Sequence, residues 1–360
     1  MQSPTDQATE GAPSTARQIL IVAGSGRCGT SLFTGLTGRL GLHIPKPEVQ
    51  ANKSNPRGFG EPRWAVDFHN ELLSSVDVTV EDGRPEAWEL TAKVSERAQA
   101  VERLSEWLDG QLAESGRIVV KDPRLAWFLE LYRVAAAQLG ADLRVATMLR
   151  HPAEVMRSRE IAYGTRTNNT TRMIGWVNMM LGIESRTRDL PRATVRYEEL
   201  LADWRPALAQ GDASIGLGLL DAADDASLAN AEALIDPTLR RSAAEWEELG
   251  LPPRVLSLAQ RVYDTYGGLV GVRAADQQPV RSSLDELSAE FTEYYDECFD
   301  VARNRTGATV RRERRKAVRR VREKLSQPPP DNEEPGAQSL RGRLKGLVPG
   351  PSAGSGTPTS

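Results

Sequence analysis

Five apolar residues in a row, Ile19-Leu20-Ile21-Val22-Ala23, run straight into the glycine-rich stretch "GSGRCGTS", Gly24 to Ser31. A short run that is apolar at every position has no face to give to water. It reads as a strand buried on both sides, the kind found in parallel sheets covered by helices. The glycines allow a tight reversal. "TSLFTGLTGRL" then has the character of a helix, from Thr30 to about Leu40, that stops at Gly41. Strand, glycine turn and helix in that order constrain the chain to a layered α/β architecture.

The same alternation recurs downstream. "GRIVVKDPRL" predicts a second buried strand, halted at Asp122-Pro123, and "AWFLELYRVAAAQLG" a helix with a glycine end. "LRVATMLRHP" predicts a third strand with a helix from Ala153, and "ATVRYEELLAD" a last strand followed by a helix. Helices are also expected over "RWAVDFHNELLSSV" after Pro62, over 93–114, and over 283–303. The inner stripe of the last is Leu284, Leu287, Phe291, Tyr294, Cys298 and Val301. The fold class expected is α/β, a three-layer, doubly wound parallel sheet with a helical C-terminal extension. One connection, "IPKPEVQANKSNPRGFGEP", is too long for a plain turn and is expected to be functional or disordered.

Charge separates the C-terminal region from the rest. The 360 residues hold 46 Lys and Arg against 49 Asp and Glu, a net charge of −3. Residues 303–324 alone carry eleven Arg or Lys against Glu313 and Glu323. Basic charge is therefore local, which argues against a general nucleic-acid binder. Two distant cysteines, Cys28 and Cys298, make neither a disulfide framework nor a zinc cluster, and fit a reducing compartment. The polar opening "MQSPTDQATEGAPSTAR" lacks the apolar core of a secretion signal, and no run of about 18 apolar residues suggests a membrane span. A cytoplasmic protein is expected.

The glycine turn carries the first chemistry. Gly24, Gly29 and Ser31 fall where the nucleotide-binding pattern G-x-x-x-x-G-K-[ST] wants its glycines and hydroxyl, but Thr30 stands in place of the lysine. Backbone N–H groups at such a turn converge on an anion, and the new helix adds its positive end. Gly26, Arg27, Cys28, Gly29, Thr30 and Ser31 are the candidate contacts. The plainer reading is a turn that only joins strand to helix. The second feature is "RHPAEVMRS": Arg150 at a strand end and Ser158 on the next helix could clamp one phosphate. An arginine at a strand end is also commonly a surface ion pair.

Together these features resemble the PAPS-dependent sulfotransferase family, of bacterial type (PAPS is 3′-phosphoadenosine 5′-phosphosulfate). Arg27-Cys28-Gly29-Thr30-Ser31 resembles its lysine-less [KR]-x-G-[TS]-[TS] turn, and Arg150, Pro152 and Ser158 resemble its R-x-P-x-x-x-x-x-S motif. "RYEELLAD" resembles its Y-E-[DE]-L stretch. The resemblance covers roughly residues 18–205. It implies a fold related to P-loop nucleotide kinases and a sulfuryl transfer from PAPS to an acceptor hydroxyl. The turn would hold the 5′-phosphosulfate, Arg150 and Ser158 the 3′-phosphate, and Tyr197 would lie near the adenine. PAPS is the cosubstrate implied, with no metal expected.

The acceptor needs a base. Many cytosolic members use a histidine at a K-T-H strand end; here Lys121 matches the lysine, but Pro123 holds the histidine position. Other members carry N-P-x-G-[FYW]-x-E, and "NPRGFGEP" makes Glu61 the candidate base, its pKa raised by a partly dry site. The plainer reading of Glu61 is a cap for the following helix. Asp122 and Arg124 either orient the acceptor or pair with each other. Trp176 and Asn178 are weighed as acceptor-cleft residues or core. His43, His69 and His151 are expected to be structural or exposed, and Cys28 to be tolerated in the turn unless the helix end lowers its pKa.

The organisation implied is a leader at 1–17, a sulfotransferase domain at 18–302, a basic helix at 303–325 and a disordered tail at 326–360. The partners expected are a hydroxyl-bearing acceptor (sugar, glycolipid or other small molecule) and an anionic membrane surface meeting 311–324, which would place the protein peripherally at the inner face. No specific nucleic acid is expected. Two rivals stand beside this reading. A P-loop kinase using ATP would want the missing lysine, and a non-catalytic binding protein would act through its basic helix.

Overall fold

The computed structural model describes residues 17–52, 55, 58–164, 167–236, 244–272 and 276–326. The expected leader, but for Arg17, and the expected tail, but for Ser326, lie outside them. Four strands form one parallel sheet: β1 (Gln18–Ala23), β2 (Arg117–Lys121), β3 (Asp142–Leu149) and β4 (Arg192–Arg196), in the order β2-β1-β3-β4. Twelve helices are described: α1 (Thr30–Arg39), α2 (Arg63–Ser75), α3 (Ala87–Ala92), α4 (Ala98–Glu114), α5 (Leu129–Gln138), α6 (Pro152–Tyr163), α7 (Asn169–Arg186), α8 (Tyr197–Ala202), α9 (Trp204–Ile215), α10 (Asp225–Glu232), α11 (Pro253–Gly267) and α12 (Gln278–Ser326).

The unbroken apolar run of β1 is explained by two cores. Side chains alternate across a strand. Leu20 and Val22 join Val119, Ala146 and Met148 on one face, under Phe33, Leu36, Trp176, Leu208 and Leu258. Ile19, Ile21 and Ala23 join Ile118, Val120 and Val145 on the other, under Phe68, Leu104, Leu108 and Tyr132. The architecture is thus α/β in three layers, helix, sheet, helix. α1 has only ten residues, too short to persist alone in water. Burial of Phe33, Leu36 and Leu40, at about 1.5–3 kcal/mol each, holds it against the sheet.

Two expected helices are interrupted. The segment 93–114 is a 3-10 turn (Lys93–Glu96) and then α4, separated by extended Arg97. "AWFLELYRV" likewise begins as a 3-10 turn, Leu125–Phe128, before α5 starts. The stripe expected on α12 is shorter than its sequence suggests: Leu284, Leu287 and Phe291 are buried and Tyr294 partly so, but Cys298 is exposed. Val301 lies outside the described side chains.

Contacts divide the chain into one unit through Tyr295 and a second from Asp296. The described part of the second unit is helix to Ser326 and carries the basic run, with Arg312, Arg314 and Arg315 exposed. Among the described residues no helix is long and apolar enough to cross a membrane.

The chain starts at β1 in the sheet interior, steps to β2 on one side, and then crosses to β3 and β4 on the other. In open sheets of this kind a crevice forms outside the carboxyl ends of the strands where the order reverses. The glycine turn leaves the end of β1 here, Lys121 ends β2, Arg150 follows β3, and Tyr197 follows β4.

Candidate active site

The turn after β1 is shaped by three residues in the left-handed region: Gly24 (φ 132°), Arg27 (φ 75°) and Gly29 (φ 97°). Gly29 is the N-cap of α1, and with no side chain it leaves the first-turn N–H groups uncapped. The same residue is packed from outside, because a Cβ here would overlap the Tyr197 ring. Gly29→Ala combines that overlap with an unfavourable φ. It is expected to lower stability by roughly 1–3 kcal/mol, read as a shift in the urea midpoint. An unchanged midpoint would show that Tyr197 moves aside freely.

Arg27 is the one non-glycine residue of the turn with positive φ, a conformation that costs on the order of 1–2 kcal/mol. Two contacts offset that cost. Its carbonyl accepts from Arg150 Nη1 at 3.1 Å, and its Nε donates to Ser158 Oγ at 3.1 Å. The two sequence features therefore meet: the turn and the Arg150–Ser158 segment are hydrogen-bonded to each other.

Arg150 is 5% exposed. Its Nε donates to Glu154 Oε2 at 2.9 Å, and its guanidinium lies 4.5 Å from the centre of the Tyr197 ring. Its Nη2 is buried and has no hydrogen-bond partner. A buried charged donor left unsatisfied is costly, and native structures rarely keep one without a reason. Tyr197 is wedged between this guanidinium and Gly29.

Lys121 and Glu61 form a buried ion pair, Nζ to Oε1 at 2.5 Å. The same ammonium donates to the Phe59 carbonyl at 3.3 Å and to Ser31 Oγ at 3.4 Å. Asn55 Nδ2 also reaches Ser31 Oγ, at 3.4 Å. The Glu61 backbone carbonyl accepts from Val49 N–H at 2.8 Å, which fixes the end of the long loop. Glu61 is not the helix cap: α2 has Pro62 as its N-cap and no side-chain cap bond.

Asp122 and Arg124 resolve into structure. Asp122 is fully buried and meets His69 Nδ1 at 2.7 Å and Arg124 Nη1 at 2.6 Å, while Tyr132 Oη lies 3.2 Å from His69 Nε2. With Nδ1 donating to the carboxylate, Nε2 accepts from the tyrosine. Burial opposes the Asp122 carboxylate, yet the His69 hydrogen bond and the charges of His69 and Arg124 hold its pKa below the ordinary aspartate value. Burial pushes Tyr132 well above its own, reinforced by Asp122.

Other expectations are corrected by packing. Cys28 turns its side chain into the core, and burial pushes its thiol up to about 11, so the helix end does not activate it. Trp176 is buried in that core, and Asn178 holds the Trp88 indole and the carbonyls of Asp82 and Arg84. Neither lines the cleft. His151 packs against Trp246 and Tyr263.

Every expected site residue except Cys28 lines one cleft of about 410 Å³. It runs along the outward face of α1, past Ser31, Gly35 and Arg39, with Ile44 and Lys46 also on its wall. Sequence reasoning missed Leu234 and Asp236 on its lining, which no motif marks. It also missed Glu154, although the spacing of four from Arg150 on a helix is a legible signal.

No family model and no curated protein sequence matches the chain. Among solved structures, the sulfotransferase domain of the Synechococcus PCC 7002 olefin synthase aligns at 18% identity and a TM-score of 0.40, over 73% of this chain and 98% of that one. The sulfotransferase domain of the curacin biosynthetic pathway aligns at 17% identity and 0.40, over 69% and 97%.

Proposed function

We propose that the protein is a PAPS-dependent sulfotransferase acting on an acceptor hydroxyl, with a carbohydrate or glycolipid as the acceptor class. The observation that carries this reading is Arg150: buried at a strand end, hydrogen-bonded to the glycine turn, and with Nη2 unpartnered. A nucleotide bearing groups on both its 5′ and 3′ positions needs two separate anion sites. The uncapped turn with Thr30 and Ser31 suits one, and Arg150 with Ser158 suits the other. ATP carries its phosphates in a single file and gains nothing from the second site.

PAPS supplies the sulfuryl group. The turn N–H groups, Gly26 through Ser31, and Arg27 hold the 5′-phosphosulfate against the helix end. Arg150 and Ser158 bind the 3′-phosphate, and Tyr197 borders the base. As the acceptor oxygen bonds to sulfur, the bond from sulfur to the 5′-phosphate oxygen breaks and leaves its electron pair on the phosphate. The acceptor proton passes to Glu61. Lys121, between Glu61 and Ser31, orients the base and offsets the charge growing on the bridging oxygen. The products are a sulfate ester and adenosine 3′,5′-bisphosphate. Residues 311–324 give the protein a means of meeting an anionic membrane surface from the cytoplasmic side.

Thermal unfolding with nucleotides tests the reading. Adenosine 3′,5′-bisphosphate at a hundred times its Kd is expected to add about 2.7 kcal/mol of stability and raise Tm. ATP with Mg²⁺ is expected to leave Tm unchanged. A shift with ATP–Mg²⁺ and none with the bisphosphate overturns it. Labelled PAPS incubated with a cell extract then identifies the acceptor.

A further inference from the structure

Behind the glycine turn lies a second arginine that the mechanism above does not use. Arg159 is 2% exposed and follows Ser158 on α6. Its Nη2 donates to Ser25 Oγ at 2.9 Å and its Nε to the Gly26 carbonyl at 3.3 Å. Nη1 lies 3.0 Å from Glu81 Oε1, close enough for an ion pair but without the alignment of a hydrogen bond. Arg159 does not line the cleft.

Glu81 is itself held. Its backbone carbonyl packs so tightly on α7 that a Cβ at Gly175 would overlap it. The next residue, Asp82, accepts from Arg84 and Thr79 N–H, and its carbonyl accepts from Asn178. A continuous set of contacts thus runs from α7 through 79–84 and Glu81 to Arg159 and the turn.

We infer that Arg159 is a positioning residue for the anion-binding turn, anchored by Glu81, and that it sets affinity for the 5′ group of the nucleotide without touching it. The inference deepens the sulfotransferase reading and rests on it for the ligand. A trans peptide points its C=O and the following N–H in opposite directions. With the Gly26 carbonyl drawn toward Arg159, the Arg27 N–H faces away from that guanidinium. Arg150 does the same to the next peptide through the Arg27 carbonyl. The two guanidiniums together maintain the strained φ of Arg27. Burial pulls the Arg159 guanidinium below its ordinary pKa and the Glu81 charge opposes that, so the pair keeps a cation beneath the turn.

The test uses the full chain with Arg159→Lys, which keeps the charge but loses the fork, and Glu81→Gln, which loosens the anchor from the far side. Amide hydrogen exchange over residues 24–31 is expected to quicken in both variants without ligand, while β1 stays protected. Affinity for adenosine 3′,5′-bisphosphate is expected to fall about tenfold in Arg159→Lys, and affinity for adenosine 3′-phosphate to stay the same. Unchanged exchange over 24–31 in both variants overturns the inference, as does equal weakening of both nucleotides. If Arg159→Lys fails to fold, Glu81→Gln decides by the same two readouts. A wild-type protein that binds neither nucleotide sinks the proposed function, and the exchange measurement still decides the role of Arg159.

Discussion

Glu61→Gln is expected to lower kcat for sulfuryl transfer by about 10²–10⁴-fold with nucleotide affinity unchanged. The amide has the shape of the carboxylate, and its oxygen still accepts from Lys121, so the buried contact survives in neutral form. What disappears is a group able to take the acceptor proton. Because Glu61 meets Lys121 and not the nucleotide-binding turn, Kd for adenosine 3′,5′-bisphosphate gives the control. Single-turnover transfer of labelled sulfuryl from PAPS reads the chemical step. A variant that turns over at the wild-type rate with intact nucleotide binding would remove Glu61 from the reaction and leave it a structural partner of Lys121.

The second large effect is expected at Arg150. Arg150→Met should weaken adenosine 3′,5′-bisphosphate by roughly two orders of magnitude, the scale of two charge-assisted hydrogen bonds. It should also destabilise the fold by about 3–5 kcal/mol, because Glu154, only 4% exposed, is left buried without its guanidinium. The two losses separate in the double variant Arg150→Met, Glu154→Gln. Removing the orphaned charge should recover most of the stability and none of the affinity. Calorimetry and urea unfolding on the three proteins measure both. If the double variant binds the bisphosphate like wild type, Arg150 is only an internal ion pair.

The layers of the fold were legible because β1 is apolar at every position, and only a strand covered on both faces tolerates that. The glycine turn and the Arg150–Ser158 segment could also be read, since each is a compact local pattern. How they meet could not. Arg27 and Ser158 are 131 positions apart, Lys121 and Glu61 are 60, and His69 and Asp122 are 53. Such partners are set by strand register and helix packing, which no local pattern encodes. Asp122 illustrates the point. Its place at a strand end suited a catalytic or a structural carboxylate equally, and only the docking of α2 and α5 brings His69 and Tyr132 to it. Arg159 was hidden for a related reason: a burial this deep depends on the 79–84 segment, far off in the chain.

Each of three cations around the turn arrives with its own carboxylate: Lys121 with Glu61, Arg150 with Glu154, Arg159 with Glu81. These carboxylates act as built-in counter-ions. They hold the cations in their poses before anything binds and take the place of chloride or stray phosphate that bare charges would gather from solution. A weak, singly charged anion gains little by displacing one of them. A ligand that presents two anionic groups at the right separation gains twice at once, so the selectivity of the cleft comes from spacing more than from the amount of positive charge.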